Sequence, residues 1–266
     1  MRNTWTAQGG GIKLEVADHI ARLTIDRPDK RNALTQAMWR DLAKGVEMAH
    51  GNPDVRAVLI SGSGEDFCAG ADIGEFDTVR RNAETARAYE SANSEAFAAI
   101  RKLPVPTIAA IRGICFGGGF GIAAACDIRL ASDDARFSVP AARLGLAYPH
   151  DAMADIVHAC GPQFAKYLTF TAARLSAQEA LSIGFVIEVL PTEAIYGRAG
   201  EIALAIAKSA PLSVKASKAA IGAVLSGNAS EMAYARTLGA ATFESADYVE
   251  GRLAFKQRRE PDFRGG

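Results

Sequence analysis

The sequence predicts an α/β fold in which strands and helices alternate up to residue 191 and helices alone follow in residues 192–266. Two observations support the first part: VRAVLIS (55–61) and TIAAIR (107–112) are short apolar runs of buried-strand type, and a polar helical segment lies between them. The third is the alanine-rich helical pattern of AGEIALAIAKSA (199–210). We therefore expect a core at 1–191 and a helical region at 192–266, with strand, strand, helix as the repeating unit.

Local signals place the individual elements. IKLEVADHIARLTIDRP (12–28) reads as two alternating strands joined by a tight turn at Asp18 and His19. Thr35 is a suitable N-cap for a helix over 36–50, and Pro211 suits a helix start. The other predicted elements are a strand at 55–61, a polar helix at 84–102, a proline-bounded strand at 107–112, a short helix opened by a glycine run, a strand from Asp127, helices from Asp151 onward and a last short strand at 185–190.

Composition excludes several classes of function. The 266 residues include 30 basic and 30 acidic side chains, so no global charge favours nucleic acid or an anionic membrane. No apolar run reaches the roughly 18 residues that a membrane span requires. The four cysteines form no CxxC pair and have no zinc-ligand spacing. We expect reduced thiols, no metal or redox cofactor, and a cytoplasmic protein without a signal segment.

The first chemical candidate is the glycine run in CFGGGFGIAAACD (115–127). Glycine costs conformational entropy, so bare backbone must be needed here. The GxGxxG pattern fails because residue 122 is Ile122, and the Lys-Ser/Thr pair of a P-loop is absent. Two interpretations remain open: a helix N-terminus whose N–H groups hold a negatively charged oxygen, or small residues that let the helix pack tightly on a sheet.

A second loop with a small-residue centre, EDFCAGADI (65–73), also follows a buried strand. Two such loops can each present one backbone N–H to the same oxygen, which is what an oxyanion hole needs. FCAGADI together with GICFGGGFGIAAACDIRLA resembles the paired signature of the enoyl-CoA hydratase/isomerase (crotonase) family. IDRPDKRNAL (25–34), LSAQEALSIGFVIEVLP (175–191) and AFKQRREPDF (254–263) resemble its other segments, so the resemblance covers about residues 12–264.

The resemblance implies a spiral of strand–strand–helix turns that binds an acyl-CoA thioester and stabilises its enolate. Ala71 and Gly118 would be the two N–H donors. The helical region would build a homotrimer or a dimer of trimers and close the CoA site, and CoA would enter only as part of the substrate. Further substrate-binding positions implied by the resemblance are Arg31, Ala33, Ala69, Asp72, Ile73, Gly117, Gly121, Ala141 and Arg258.

The sequence departs from the family at its acid/base positions. The two glutamates of the hydratases fall on Gly121 and Ala141, neither of which can move a proton. Tyr148 lies in a loop similar to that of the crotonase-type methylmalonyl-CoA decarboxylases, which have a tyrosine there. We therefore expect decarboxylation or a double-bond shift, with Tyr148 as the polar partner, rather than hydration. Asp151 is interpreted either as an acid/base group or as a helix N-cap, and a catalytically silent CoA-binding protein is the alternative function.

One further helix face borders the acyl pocket in this family. Tyr89, Glu90 and Asn93 are spaced to share that face. Glu90 is interpreted either as a displaced base or as part of a solvated amphipathic face, and the solvated face is the prediction.

Overall fold

The computed structural model describes residues 3–266 and contains ten strands and ten α-helices over that range. The strands are β1 Asn3–Thr6, β2 Ile12–Ala17, β3 Ile20–Ile25, β4 Ala57–Gly62, β5 Thr107–Ile111, β6 Ile114–Phe116, β7 Ile128–Ser132, β8 Arg136–Ser138, β9 Arg174–Ser176 and β10 Glu188–Leu190. The helices are α1 Gln36–His50, α2 Phe76–Val79, α3 Ala83–Lys102, α4 Gly118–Ala125, α5 His150–Thr171, α6 Ala177–Ser182, α7 Ile195–Ala207, α8 Pro211–Ser226, α9 Ala229–Ala241 and α10 Ala246–Gln257. No helix within 3–266 is long and apolar enough to cross a membrane.

The main sheet has seven strands in the order β1-β2-β3-β4-β5-β7-β10. The hairpin between β2 and β3 turns at Asp18 and His19, whose φ angles are +52° and +63°, as a two-residue primed turn requires. From β3 onward all pairings are parallel. Because β4 and β5 are parallel neighbours, the loops that follow them leave the same edge of the sheet, where ligands bind in sheets of this kind.

A second, three-stranded sheet has the order β6-β8-β9. Its strands are only three residues long, which is too short for a sequence period to show, and the sequence did not predict them. This sheet leads directly into the glycine run, and the Gly117 N–H donates to the Ser138 carbonyl at 2.9 Å. The small sheet therefore fixes the start of α4.

The main sheet is covered on both faces. One face packs under α1 and α3, with Trp39, Phe67 and Phe97 in its core. The other packs under α7 through Ile195 and Ala199. The division of the chain into a core at 1–191 and a helical region at 192–266 stays a prediction. Of the helices after residue 191, α7 lies directly on the sheet, and α8, α9 and α10 follow it in the chain.

Most predicted elements are confirmed. The Thr35 hydroxyl accepts a hydrogen bond from the Met38 N–H at 3.2 Å and caps a helix over 36–50, and Pro211 occupies the first turn of α8. The polar helix extends over 83–102, and the last strand is shorter than predicted, at 188–190. All four cysteines are free and buried.

Candidate active site

At the glycine run the packing use is confirmed, whereas the holding of a negatively charged oxygen stays a prediction. Gly117 has φ +51° and ψ −115°, a backbone conformation that side-chain-bearing residues rarely adopt. A Cβ on Gly119 would overlap the backbone of Cys68, so Gly119 serves tight packing. A Cβ on Gly118 would lie 2.7 Å from Cζ2 of Trp39, which is fully buried. Bare backbone at these positions lets α4 begin in contact with the neighbouring loop.

That neighbouring loop follows β4 and is centred on Gly70. Gly70 has φ +98°, and a Cβ there would lie 3.0 Å from the Gly118 nitrogen and 2.8 Å from the Phe116 carbonyl oxygen. The two small-residue loops are therefore in direct contact. This contact places Ala71 and Gly118 beside each other, and their role as a pair of N–H donors stays a prediction.

The N–H groups of Ala71 and Gly118 have no hydrogen-bond partner among residues 3–266. Their peptide carbonyls, in contrast, are held. The Leu34 N–H donates to the Gly70 carbonyl at 2.8 Å, and the Tyr148 hydroxyl donates to the Gly117 carbonyl at 2.8 Å. Since C=O and N–H point in opposite directions across a trans peptide, anchoring each carbonyl aims the free N–H of the same peptide. Both N–H-bearing residues line one cavity of about 110 Å³.

Tyr148 corrects the prediction for Gly121. A Cβ on Gly121 would lie 2.5 Å from the Tyr148 hydroxyl and 2.7 Å from Cζ of Phe97. The space above Gly121 is thus filled by these two side chains, and Gly121 is buried rather than a lining residue of the cavity. Burial raises the pKa of Tyr148, so its hydroxyl stays protonated and keeps donating to the Gly117 carbonyl.

The helix face on α3 is not a solvated one. Tyr89 is fully buried, and its hydroxyl accepts from the Trp39 indole N–H at 3.2 Å and donates to the Leu34 carbonyl at 3.1 Å. Asn93 is 7% exposed, and its Oδ1 has no partner within 3–266. Glu90 and Asn93 both line the cavity. The prediction of a solvated face at these three positions is therefore wrong.

The cavity brings together about half of the predicted site residues. Those that line it are Ala69, Ala71, Ile73, Gly117, Gly118, Ala141 and Tyr148. Ala69 is tied in through its N–H, which donates to the Arg31 carbonyl at 2.9 Å. Ile73 lies at the rim with 58% of its surface exposed.

The remaining predicted residues lie outside the cavity: Arg31, Ala33, Asp72, Gly121, Asp151 and Arg258. Asp72 pairs with Arg27 at 2.7 Å, and this hydrogen bond holds the pKa of the Asp72 carboxyl below its usual value. The Ala33 carbonyl accepts from the same Arg27 side chain at 3.1 Å. These residues fasten the segment 27–34 to the donor loop instead of lining the cavity.

Both interpretations of Asp151 need correction. Asp151 is exposed in the first turn of α5, the N-cap position is Pro149, and no side chain caps the helix. Arg258 is exposed, with φ +54°, at the end of α10, outside the cavity of its own chain. From the sequence, Asp151 could be placed either at the N-cap or in the first turn of α5, because aspartate is favourable at both positions.

Two residues at the site were missed by sequence reasoning. Trp39 lies beneath Gly118, and Arg80 lines the cavity from the end of α2. Trp39 sits in the apolar stripe of a predicted helix and therefore resembled any core residue. Arg80 lies between two elements in a segment without a period, so nothing in the sequence related it to the donor loops.

Comparison with known proteins decides the family. A family model described as enoyl-CoA hydratase/isomerase matches residues 15–266. The chain belongs to the enoyl-CoA hydratase/isomerase family. Its fold is similar to the crystal structure of an enoyl-CoA hydratase/isomerase family protein from Hyphomonas neptunium, with a TM-score of 0.92 and 35% identity over 96% of this chain and 98% of that one. It is also similar to the crystal structure of an enoyl-CoA hydratase/carnithine racemase from Magnetospirillum magneticum, with a TM-score of 0.90 and 34% identity over 96% of each chain.

Curated relatives of the family differ in their reactions. The short-chain-enoyl-CoA hydratase of Clostridium acetobutylicum is 33% identical over 94% of this chain and 95% of its own length. The mitochondrial Delta(3,5)-Delta(2,4)-dienoyl-CoA isomerase of Rattus norvegicus is 35% identical over 75% of this chain, and the match spans 64% of that relative's length. Membership in the family therefore leaves both hydration and isomerisation open.

Proposed function

We propose that this protein shifts a double bond in an acyl-CoA thioester through an enolate, with the Ala71 and Gly118 N–H groups on the thioester oxygen and Glu90 as the proton carrier. The observation that carries the proposal is the shared cavity: it is lined by two adjacent residues whose N–H groups have no partner within residues 3–266, and by one residue with a carboxyl group. Of the described residues that line the cavity, Glu90 alone carries a carboxyl group.

The chemistry follows from these groups. Glu90 removes a proton from C2 of a 3-enoyl thioester, the electron pair moves toward the carbonyl, and negative charge collects on the thioester oxygen. The two aimed N–H groups stabilise that charge, and the start of α4 adds its positive dipole end. Glu90 then returns its proton to C4, so that the double bond lies between C2 and C3. No other reactant is consumed.

Hydration is less well supported. Adding water to an enoyl thioester needs one group to activate water and another to deliver a proton to carbon. Ala141 lines the cavity without a titratable group, and the space above Gly121 is filled by Tyr148 and Phe97. Tyr148 is a poor substitute because its hydroxyl already donates to the Gly117 carbonyl.

Decarboxylation is the second candidate. Loss of CO₂ generates the enolate directly and needs no base, only the two N–H donors and a later proton. Apolar surroundings near the donors favour it, since Ala69, Pro140 and Ala141 offer no polar side chain to solvate a carboxylate at C2.

Incubation of the purified protein with matched acyl-CoA thioesters in D₂O, followed by mass spectrometry, tests the proposal. The panel contains crotonyl, 3-hexenoyl, malonyl and methylmalonyl thioesters. We expect conversion of 3-hexenoyl-CoA to the 2-enoyl isomer with deuterium uptake. Release of CO₂ would favour the second candidate, and water addition to crotonyl-CoA would favour hydration over the proposed double-bond shift. Retention of every thioester without chemistry would identify a silent CoA-binding protein.

Tyr148→Phe should lower kcat of the double-bond shift about tenfold while leaving KM nearly unchanged. The substitution keeps the ring and removes one of the two donors to the Gly117 carbonyl, the other being the Gly121 N–H at 3.1 Å. The Gly118 N–H is then aimed less well, and transition-state stabilisation falls by part of one hydrogen bond. Steady-state kinetics and deuterium exchange at C2 measure the effect. If exchange at C2 stayed at the wild-type rate while deuterium uptake at C4 was lost, Tyr148 would be a proton donor to substrate instead.

The helical region carries apolar side chains that nothing within the described chain covers. Val224 is 76% exposed, Phe243 69% and Phe255 89%. Together with the family membership, these exposed faces support a homotrimer or a dimer of trimers. Light scattering should give three or six times the chain mass of 28.1 kDa, and a value of one chain mass would refute the assembly.

The proposed proton transfer needs no metal or redox cofactor, because coenzyme A enters as part of the substrate. We also propose a cytoplasmic location, in keeping with four free, buried cysteines.

A further inference from the structure

Arg80 is a half-buried cation whose side chain makes no hydrogen bond or ion pair within residues 3–266. Its guanidinium carbon lies 4.7 Å from the ring centroid of Phe76 and 4.3 Å from that of Tyr89, and its Nε is buried. These rings fix the plane of the guanidinium but offer its N–H groups no acceptor. Arg80 lines the same cavity as the Ala71 and Gly118 N–H groups.

Asn93 contributes a second unpartnered polar group to that cavity. Asn93 is 7% exposed as a residue, its Oδ1 is buried, and neither amide atom has a partner in the described chain. A buried amide without partners costs free energy, which a ligand that hydrogen-bonds it would recover. Arg80 follows α2 and Asn93 lies on α3, so two separate elements bring these groups to one space.

We propose that Arg80 and Asn93 bind a carboxylate on the acyl group, so that the substrate is the mono-CoA thioester of a dicarboxylic acid. This inference rests on the proposed function, since it assumes that the thioester lies at Ala71 and Gly118. The substrate is then held at two places: its thioester oxygen by the Ala71 and Gly118 N–H groups, and the carboxylate of its acyl group by Arg80 and Asn93.

The chemistry of the two groups selects the ligand. An arginine offers only donors in a planar fork, which matches the two oxygens of a carboxylate. The Asn93 amide can turn its NH₂ toward the same group. A plain alkyl chain would leave both side chains without partners. A hydroxyl would satisfy Asn93 but leave the charge of Arg80 unbalanced.

Glu90 is the carboxylate that competes for Arg80. It lines the same cavity, on α3, yet the two form no ion pair in the structure. Glu90 is thereby left available for proton transfer, and Arg80 for the substrate. A direct Arg80–Glu90 pair in solution is the arrangement that the experiment must distinguish.

Binding of saturated thioesters tests the carboxylate site without any chemistry. Calorimetry compares three matched pairs on the full-length protein: glutaryl-CoA with pentanoyl-CoA, adipyl-CoA with hexanoyl-CoA, and suberyl-CoA with octanoyl-CoA. We expect at least one dicarboxylate to bind about tenfold or more tightly than its partner, as a charge-assisted hydrogen bond predicts. Arg80→Gln should bring that ratio near one, whereas the neighbouring exposed Arg81→Gln should preserve it.

The Glu90→Gln variant separates the two arrangements of Arg80. A ratio that is kept or increased in Glu90→Gln supports the carboxylate site. If the preference for the dicarboxylate thioester appears only in Glu90→Gln, Arg80 is the counter-ion of Glu90 and the inference is overturned. The inference is also overturned if the preference survives Arg80→Gln, or if none of the three pairs shows it. Turnover of 3-hexenoyl-CoA reports separately on the proposed function: turnover without preference refutes only the carboxylate site, and preference without turnover refutes only the double-bond shift.

Discussion

Gly118→Ala is expected to lower kcat of the double-bond shift about 10²–10³-fold, the cost of losing one oxyanion donor. The added Cβ would lie 2.7 Å and 2.8 Å from two ring carbons of Trp39, which is fully buried and cannot move away cheaply. The start of α4 must therefore shift, and the Gly118 N–H shifts with it. Gly118→Val adds two more methyl groups at the same place and should abolish turnover.

The same overpacking is expected to cost about 1–3 kcal/mol of stability. Thermal unfolding must therefore accompany the kinetics, so that lost activity is compared at a temperature where the variant is folded. Gly197→Ala is the matched control, because Gly197 is exposed within α7 and a Cβ there meets nothing within 4 Å. The control should keep full activity. Full activity in folded Gly118→Val would refute the proposed role of the Gly118 N–H.

Glu90→Gln is expected to lower kcat of the double-bond shift about 10²–10⁴-fold, the usual contribution of a general acid/base group. Glutamine has nearly the same shape but cannot accept and return the proton. KM should change little, because Glu90 acts on the reacting carbons and the thioester is held by backbone N–H groups. Single-turnover kinetics with 3-hexenoyl-CoA and deuterium exchange at C2 measure the chemical step directly.

Glu95→Gln is the control for the Glu90 variant. Glu95 lies on the same helix but is exposed, and within residues 3–266 its carboxylate accepts only from the Ser91 hydroxyl, at 2.8 Å. This variant should match the wild type. Unchanged double-bond shift in Glu90→Gln would remove Glu90 from the mechanism. Loss of the shift with retained CO₂ release from malonyl thioesters would show that both reactions share the N–H donors and only one needs the carboxyl group.

The contact between the two small-residue loops was accessible from sequence because it depends on the backbone. Two loops with small residues at their centres each follow a buried strand, and neighbouring parallel strands bring such loops to one edge of the sheet. The resemblance to the family then implied Ala71 and Gly118 as the pair of donors, and that role stays a prediction. Their neighbours Gly70 and Gly117 have positive φ angles, which glycine permits.

The side chains around those loops were harder to predict. Aspartate is a residue type found both at helix N-caps and as a catalytic base. Asp151 neither caps α5 nor lines the cavity. Glu90 and Asn93 had the pattern of a solvated face and line the cavity. A polar residue on a helix looks the same in sequence whether it faces water or a polar cavity, because helical periodicity records only which residues share a face.

The sequence by itself determined the α/β class, most element positions and the family resemblance, because these depend on local pattern. The resemblance in turn implied Ala71 and Gly118 as candidate N–H donors. Only the tertiary structure decided that the Tyr148 hydroxyl fills the space above Gly121 and holds the Gly117 carbonyl, and that Glu90, Asn93 and Arg80 share a cavity with the donors. These side chains come from segments far apart in the chain. Their meeting depends on how helices pack over the sheet, which no local pattern encodes.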